Sequence, residues 1–398
     1  MLGAAIAEIA LVFFVFGPKS SKKHRAKFLS EKEIEVTESG NLFDSCGKMR
    51  QLGWSRKIVK TYNREDIVAS PLFIKEWDYY AVIGNGHILC ITVSDIGYAG
   101  TLIVSVIENF NNGKKAYEYT DTLLTFFTLG GWNLPRTTRE GVTAGKIGEN
   151  HFEIKVSEDG KRVVTGSWPT FGTKDADRFK EVFGELGLTV EITLSRDPEL
   201  DTIVVHTPFK ESARYFYYNQ KINNLRAVGT ATIGNVKKTY ARNDNGVWGI
   251  LDWGRGVWPY ASSWVWASAN GMATVKDANG SEKQCVFALN MGHGFGVLDT
   301  HSENCVFLDG KIVKFGKLEI TYNKNNFMDP WHFSDKEGNV DLTLTPSYPR
   351  VGDTNFVLLR MLANQMFGTF SGTVKTDDGR VVTVSSVEGF AEFVSNRW

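Results

Sequence analysis

E-W-D-Y-Y-A-V-I-G-N-G-H-I-L-C-I-T-V-S, residues 76–94, is the stretch that decides the fold class. Trp77–Val82 is aromatic and then aliphatic, which suits a pleated, half-buried surface. Gly84-Asn85-Gly86 supplies residues that tolerate positive φ, as a tight hairpin turn requires. His87–Ser94 is apolar and β-branched, so the whole stretch reads as a β-hairpin. The same grammar extends outward in both directions. Upstream, Glu33–Thr37 alternates and Glu38-Ser-Gly-Asn41 breaks it. Downstream, Leu102–Glu108 is a further strand, ended by Asn109 to Gly113. His151–Ser157 and Arg162–Ser167 flank Glu158-Asp159-Gly160, which is again hairpin chemistry. Leu188–Leu194, Ile203–His206 and Ala227–Ile233 continue the series. Asn270–Gly271, Asp309–Gly310, Glu337–Gly338 and Asp378–Gly379 punctuate the second half.

One segment, Lys174–Leu186, has helical character, with Phe179 and Phe183 at i, i+4 among charged residues. It is expected as a short surface helix. Strands spaced about 8–12 residues apart over so long a chain imply barrels or sandwiches. At 398 residues the chain is too long for one ordinary core and suits two domains. A weak internal echo supports two units. Glu76-Trp-Asp-Tyr-Tyr80 leads through a strand to Ser94-Asp-Ile-Gly-Tyr-Ala-Gly100. Ser263-Trp-Val-Trp266 leads through Cys285–Asn290 to Met291-Gly-His-Gly-Phe-Gly296. The expected division is an appendage over 1–32, a first β-barrel over 33–215 and a second over 216–398.

Lys+Arg and Asp+Glu both number 45, so no basic field exists to draw nucleic acid. Aromatic residues reach 13%, which suits wide β-surfaces and apolar cavities. The densest run is G-V-W-G-I-L-D-W-G-R-G-V-W-P-Y-A-S-S-W-V-W, residues 246–266. Period-two alternation puts Trp248, Ile250 and Asp252 on one strand face and Gly249, Leu251 and Trp253 on the other. Gly254-Arg255-Gly256 and Pro259 are expected to end that strand. Trp264 and Trp266 share one face of the next. If these faces line a barrel, Asp252 and Arg255 sit by a lumen walled by Trp248, Trp253, Trp258, Trp264 and Trp266. An acid in such a wall is a candidate proton donor, because desolvation raises its pKa. Arg255 could instead hold it as an ion pair. The indoles could stack on a flat apolar ligand or simply form a core layer.

Three lone histidines add candidates. His293 sits among glycines in Gly292–Gly296. His332, in Asp329-Pro-Trp-His-Phe333 beside Trp331, is a catalytic candidate with Asp329 near enough in sequence to orient it. His301 precedes Glu303 in an expected loop. No histidine spacing matches a metal motif, and no cofactor is expected. Glu388 and Glu392 read as members of a salt-linked final strand. Cys46, Cys90, Cys285 and Cys305 are widely spaced and read as buried thiols of a reducing compartment, with two disulfides as the alternative. Leu2–Phe16 is apolar and is followed by Lys19, Lys22, Lys23, His24 and Arg25. It is too short for an ordinary membrane span. An appendage, a surface anchor and a cleaved signal all remain open, and so does weak membrane association through residues 2–25 of an otherwise cytoplasmic chain.

Several motifs together carry a resemblance. N-L-F-D-S-C-G-K-M-R-Q-L-G-W-S-R (41–56), E-W-D-Y-Y (76–80), W-G-R-G-V-W-P-Y (253–260), D-P-W-H-F (329–333) and G-F-A-E-F-V-S-N-R-W (389–398) resemble the family called domain of unknown function 2804. The likeness covers about residues 33–398. More distantly, Trp248 to Trp253 with the later Trp264-Val-Trp266 is similar to the carotenoid hydratase and AttH-like group. That resemblance implies an all-β chain of two consecutive lipocalin-like (calycin-like) antiparallel barrels. It also implies acid chemistry on isoprenoids, with Asp252 at the acidic position and Trp264 and Trp266 in the aromatic wall. Two functions are therefore expected. One is binding or carriage of an apolar lipid- or isoprenoid-like small molecule. The other is a cofactor-free hydratase, isomerase or cyclase with Asp252 as general acid and His332 or Tyr260 as proton relay.

Overall fold

The structure is a computed structural model that describes residues 33–126, 132–241, 246–298, 301–356 and 359–397. Three short strands come first: β1 (Gly40–Asn41), β2 (Gly53–Ser55) and β3 (Lys60–Thr61). A meander follows, of β4 (Lys75–Gly84), β5 (His87–Asp95), β6 (Ala99–Glu108) and β7 (Tyr117–Phe126). Next come β8 (Gly141–Ile147), β9 (Asn150–Val156), β10 (Arg162–Trp168) and helix α1 (Ala176–Phe183). The first unit ends with β11 (Leu188–Ser195), β12 (Ile203–Pro208), β13 (Phe216–Ile233), β14 (Val236–Tyr240) and β15 (Val247–Val257). Its sheet runs β7-β6-β5-β4-β15-β13-β11-β10-β9-β8, with β12 and β14 also on β13.

The second unit begins with another meander: β16 (Ala261–Lys276), β17 (Glu282–His293), β18 (Cys305–Leu308) and β19 (Lys311–Lys314). It continues through β20 (Glu319–Thr321), β21 (Trp331–Ser334), β22 (Val340–Phe356), β23 (Leu359–Lys375) and β24 (Val381–Arg397). Its order is β19-β18-β17-β16-β24-β23-β22-β21-β20. One plan is used twice. In each unit the first strand of the meander pairs with the unit's last strand, β4 with β15 and β16 with β24. The chain is nearly all-β, with two barrel-like sheets, the first nearly closed and the second a half-barrel. The sheets change between Val257 and Ala261. β13, which begins at the expected 215/216 boundary, and β15 both pair in the first sheet.

The turn signals behave as their chemistry requires in most places. Asn85 and Gly86 have φ of 53° and 71°, and Asp309 and Gly310 have 48° and 76°. Asn270–Gly271 is the exception. It lies inside β16, where the pairing with β24 shifts register between Ala269 and Thr274. Glu33–Thr37 forms only an isolated bridge, Glu35 to Trp54. Gly254-Arg255-Gly256 is not a turn either, since β15 runs straight through it. The glycines serve packing instead. A Cβ on Gly254 would meet the Trp77 ring at 2.2 Å, and one on Gly256 would meet the Trp258 ring at 2.7 Å.

Core position follows from strand alternation. β9 buries Phe152, Ile154 and Val156 and exposes the residues between them. α1 has a charged outer side, but Phe179 and Phe183 are buried against Tyr117, Tyr119 and Phe171. The helix is thus part of the first core rather than a purely surface element. β15 is buried along its whole length, because one face meets the first barrel's interior and the other meets the second sheet. Cys90, Cys285 and Cys305 are buried and free, whereas Cys46 is exposed, contrary to its expected burial. No helix among the described residues is long and apolar enough to cross a membrane, and the Leu2–Arg25 segment lies outside them.

Candidate functional site

Strand alternation divides the aromatic run between two places. Leu251, Trp253, Arg255 and Val257 point into the first barrel. Ile250 and Asp252 point the other way, into the seam between the sheets. Asp252 and Arg255 are three residues apart on a strand and cannot face one another. Arg255 is fully buried and donates to the carbonyls of Trp77 and Pro135 at 2.8 and 2.7 Å. Its carboxylate partner is Asp78 at 3.0 Å, and its guanidinium lies 4.2 Å over Trp253. Burial raises the Asp78 pKa against that cation. Arg255 therefore serves the barrel interior, and the expected Asp252–Arg255 pair does not exist.

Asp252 is paired with Lys221 of the neighbouring β13, at 2.7 Å, and accepts from Asn219 at 2.5 Å. The register explains this, because Lys221 lies directly opposite Asp252, which lies opposite Tyr79 of β4. Lys221 also stands 3.8 Å over the Trp266 ring and 3.9 Å from Glu303. Asn290 bridges the last two, accepting from the Trp266 indole at 2.8 Å and donating to Glu303 at 2.9 Å.

The second sheet presents its own row across four strands: Arg350, Gln365, Glu392 and Trp266. Arg350 crosses the seam to Cys90 at 3.5 Å and Ser105 at 2.6 Å. Glu392 accepts from the Trp264 indole at 3.0 Å and from Gln365 at 3.2 Å. Among the described residues it makes no ion pair, unlike the salt-linked role expected from sequence. Burial pushes its carboxyl up to about 7, partly offset by the Trp264 hydrogen bond and the Lys221 charge. It keeps partial solvent access, as do Trp264, Trp77 and Arg350. Tyr217, buried among the charges of Asp252, Glu303 and Glu392, has its hydroxyl pKa raised well above the ordinary value.

Aromatic rings cover this polar nest. Trp77 stacks on Tyr217 at 5.7 Å, and Trp258 meets Trp77 edge-on at 5.4 Å. Phe295 touches Tyr217, Trp258, Trp264 and Phe209 with centroids 4.8 to 5.3 Å apart. Beside Phe295 opens a recess of about 450 Å³ between the start of β16, the end of β24 and the Gly294–Gly296 loop. A larger concavity of about 690 Å³ lies on β8 to β11, lined by Lys146, His151, Glu153 and Glu191. It is more open and is remote from the seam chemistry.

The remaining sequence candidates scatter. Trp331 is a core residue of the second barrel, stacked on Tyr322 at 4.3 Å with its indole donating to the Phe327 carbonyl. His332 points oppositely, is part-exposed, and lies near Thr343 and Asp341 rather than Asp329. Asp329 instead accepts from Asn323 and Asn326. Tyr260 is an exposed residue of the connection between the sheets, and His293 is exposed at the end of β17. Trp248 faces away from the first core, with Arg226 at 3.9 Å over its ring. Among the described residues, no group of three His, Cys, Asp or Glu is placed to hold a metal ion. Lys221, Gln365, Arg350, Tyr217, Trp77 and Phe295 were not singled out from sequence, and Glu392 was read only as a structural acid of the final strand. The motifs E-W-D-Y-Y, G-H-G-F-G and G-F-A-E-F-V-S-N-R-W pointed to their neighbourhood.

Among solved structures, the chain is similar to CghA in its complex with Sch210972, with 10% identity, 82% of this chain and 89% of that one covered, and a TM-score of 0.46. It is similar to the protein assigned as AttH from Nitrosomonas europaea, with 12% identity, coverage of 85% and 98%, and a TM-score of 0.44. It is also similar to kievitone hydratase from Nectria haematococca, with 10% identity, coverage of 85% and 96%, and a TM-score of 0.45. At such identities the likeness concerns fold. No curated protein sequence matches. A family model does match, over residues 33–398, and the chain belongs to the family described as domain of unknown function (DUF2804).

Proposed function

We propose that the seam between the two sheets is a cofactor-free acid–base site for an apolar, unsaturated small molecule, and that the chain is a lyase or isomerase. One observation carries the reading. Glu392 is a carboxyl group held near a pKa of 7, with partial solvent access, hydrogen-bonded by the Trp264 indole N–H, whose ring packs on Phe295 of the nearby recess. An acid in that range donates and recovers a proton at neutral pH. Protonation of an alkene or enol carbon by Glu392 leaves a cation that the faces of Trp264 and Trp77 stabilise. Water then adds, or a neighbouring C–H proton is lost, and the proton returns to the Glu392 carboxylate. Asp252 is the counter-ion of Lys221 in this scheme rather than the donor, because the Lys221 ammonium lies 2.7 Å from it, whereas the donors on the Glu392 oxygens, Trp264 and Gln365, are neutral.

Carriage of the same kind of molecule is the second reading. The recess and its aromatic floor favour it, and the filled interior of the first barrel moves its site from the lumen to the seam. Deuterium incorporation from deuterium oxide into a panel of apolar alkenes and enols separates the two. The enzyme reading expects exchange that falls by roughly a hundredfold or more in Glu392→Gln. Binding without exchange in the wild-type chain would leave the carrier.

A further inference from the structure

The mouth of the seam has a polar feature that the acid site does not use. Ser262 of β16 lies directly opposite Asn396 of β24. Both line the recess of about 450 Å³ beside Phe295. Asn396 is 2% exposed, yet its Oδ1 has no hydrogen-bond partner among the described residues, and neither does the buried Ser262 Oγ. A buried acceptor without a partner is costly, and native chains rarely keep one without a use. The pair sits on the same strand faces as Trp264 and Glu392, two and four residues along, so it lines the approach to the acid. The wall between them is apolar, with Phe295 packed on Phe209, Trp258 and Trp264. The rim carries exposed Lys210, Glu211 and Arg397, solvated charges of both signs.

We infer that this recess is a subsite for the hydroxyl group of a neutral ligand, an alcohol or phenol whose apolar body runs along the aromatic floor toward Glu392. The ligand hydroxyl donates to Asn396 Oδ1 and accepts from Ser262. A carboxylate is disfavoured because the buried amide oxygen would face its charge. The inference rests on the seam being the ligand site, and it names the ligand class for that site.

The test uses para-hexylphenol, hexylbenzene and para-hexylbenzoate as probes, with binding to the full chain read from tryptophan fluorescence and by calorimetry. The wild-type chain is expected to prefer the phenol over hexylbenzene by about tenfold, the scale of one hydrogen bond to a buried acceptor. Asn396→Leu should abolish that preference while hexylbenzene still binds, and Ser262→Ala should reduce it. The wild-type comparison stands even if a variant fails to fold. Equal affinity for phenol and hexylbenzene, tightest binding of the benzoate, or binding of none of the three overturns the inference. Phenol selectivity without deuterium exchange removes the acid function and keeps the subsite. Exchange without phenol selectivity does the reverse.

Discussion

Glu392 shows how one residue's chemistry follows from its surroundings. Its carboxyl keeps a proton in the folded chain up to about 7, against an ordinary 4.5. The folded state therefore binds more protons than the unfolded state between those values. Its effect on stability is least unfavourable below 4.5, worsens as pH rises through 7, and is then constant. The span is worth roughly 3 kcal/mol. Urea unfolding of wild type and Glu392→Gln at acidic and at mildly alkaline pH should show this loss only in the wild type, and parallel curves would refute it. Any proton-transfer rate should likewise fall as pH rises above about 7. The buried Lys221–Asp252 pair makes a second residue-scale prediction. Removing one partner, as Lys221→Met or Asp252→Asn, leaves an uncompensated buried charge and costs about 3–5 kcal/mol. Removing both costs less than the sum, and a double-mutant cycle measures the difference.

At the scale of elements, β15 depends on its glycines. Gly254→Ala places a methyl group inside the Trp77 ring and must displace it. The expected cost is about 1–3 kcal/mol, with a changed near-ultraviolet circular dichroism from the Trp77–Tyr217–Trp258 cluster. An unchanged spectrum would show that Trp77 does not lie on Gly254. A bulge in β13 supplies a different kind of link. Between Ile222 and Leu225 the pairing with β15 shifts, and Asn223 and Asn224 turn toward the second unit. Asn223 donates to Ser268 Oγ at 3.0 Å, and Asn224 donates to the Phe287 carbonyl at 3.0 Å. Asn224 has φ of 54°, a conformation that asparagine tolerates and alanine does not. Thermal melts should rank Asn224→Gly above Asn224→Ala, since glycine loses only the hydrogen bond while alanine adds backbone strain.

For the whole molecule, closure decides where one unit stops. A fragment ending at Tyr260 retains β13 and β15 and can close the first sheet, whereas one ending at Tyr215 loses both. Circular dichroism and cooperative melting should find the longer fragment folded and the shorter one unfolded. Cooperative melting of the shorter fragment would return the boundary to the region around residue 215. Both units contribute to the seam: Lys221, Asp252, Tyr217 and Trp77 from the first, and Trp264, Glu392, Gln365 and Arg350 from the second. Neither unit alone holds Glu392 in its raised-pKa environment.

The sequence by itself determined the all-β class, most of the hairpins, the two-unit plan and the faces of the Trp248–Trp266 run. These depend on local rules: period-two alternation and the few residues that accept positive φ. The hairpin at Asn85–Gly86 and the shared face of Trp264 and Trp266 were legible for that reason. Which residues meet across strands was not. Lys221 reaches Asp252 and Glu392 reaches Trp264 through registers set by long-range pairing, with partners 31 and 128 residues apart. Strand alternation alone separated Asp252 from Arg255, but only the second sheet packed against β15 turned the outward face into a buried seam. Tertiary structure therefore decided which side chains meet, gathering Lys221, Asp252, Trp264, Gln365 and Glu392 at the junction of the two sheets, where the proposed site and its proposed acid Glu392 lie. The physical reason is burial. A carboxyl's pKa is set by the charges and solvent around it, and the sequence neighbours of Glu392 supply neither.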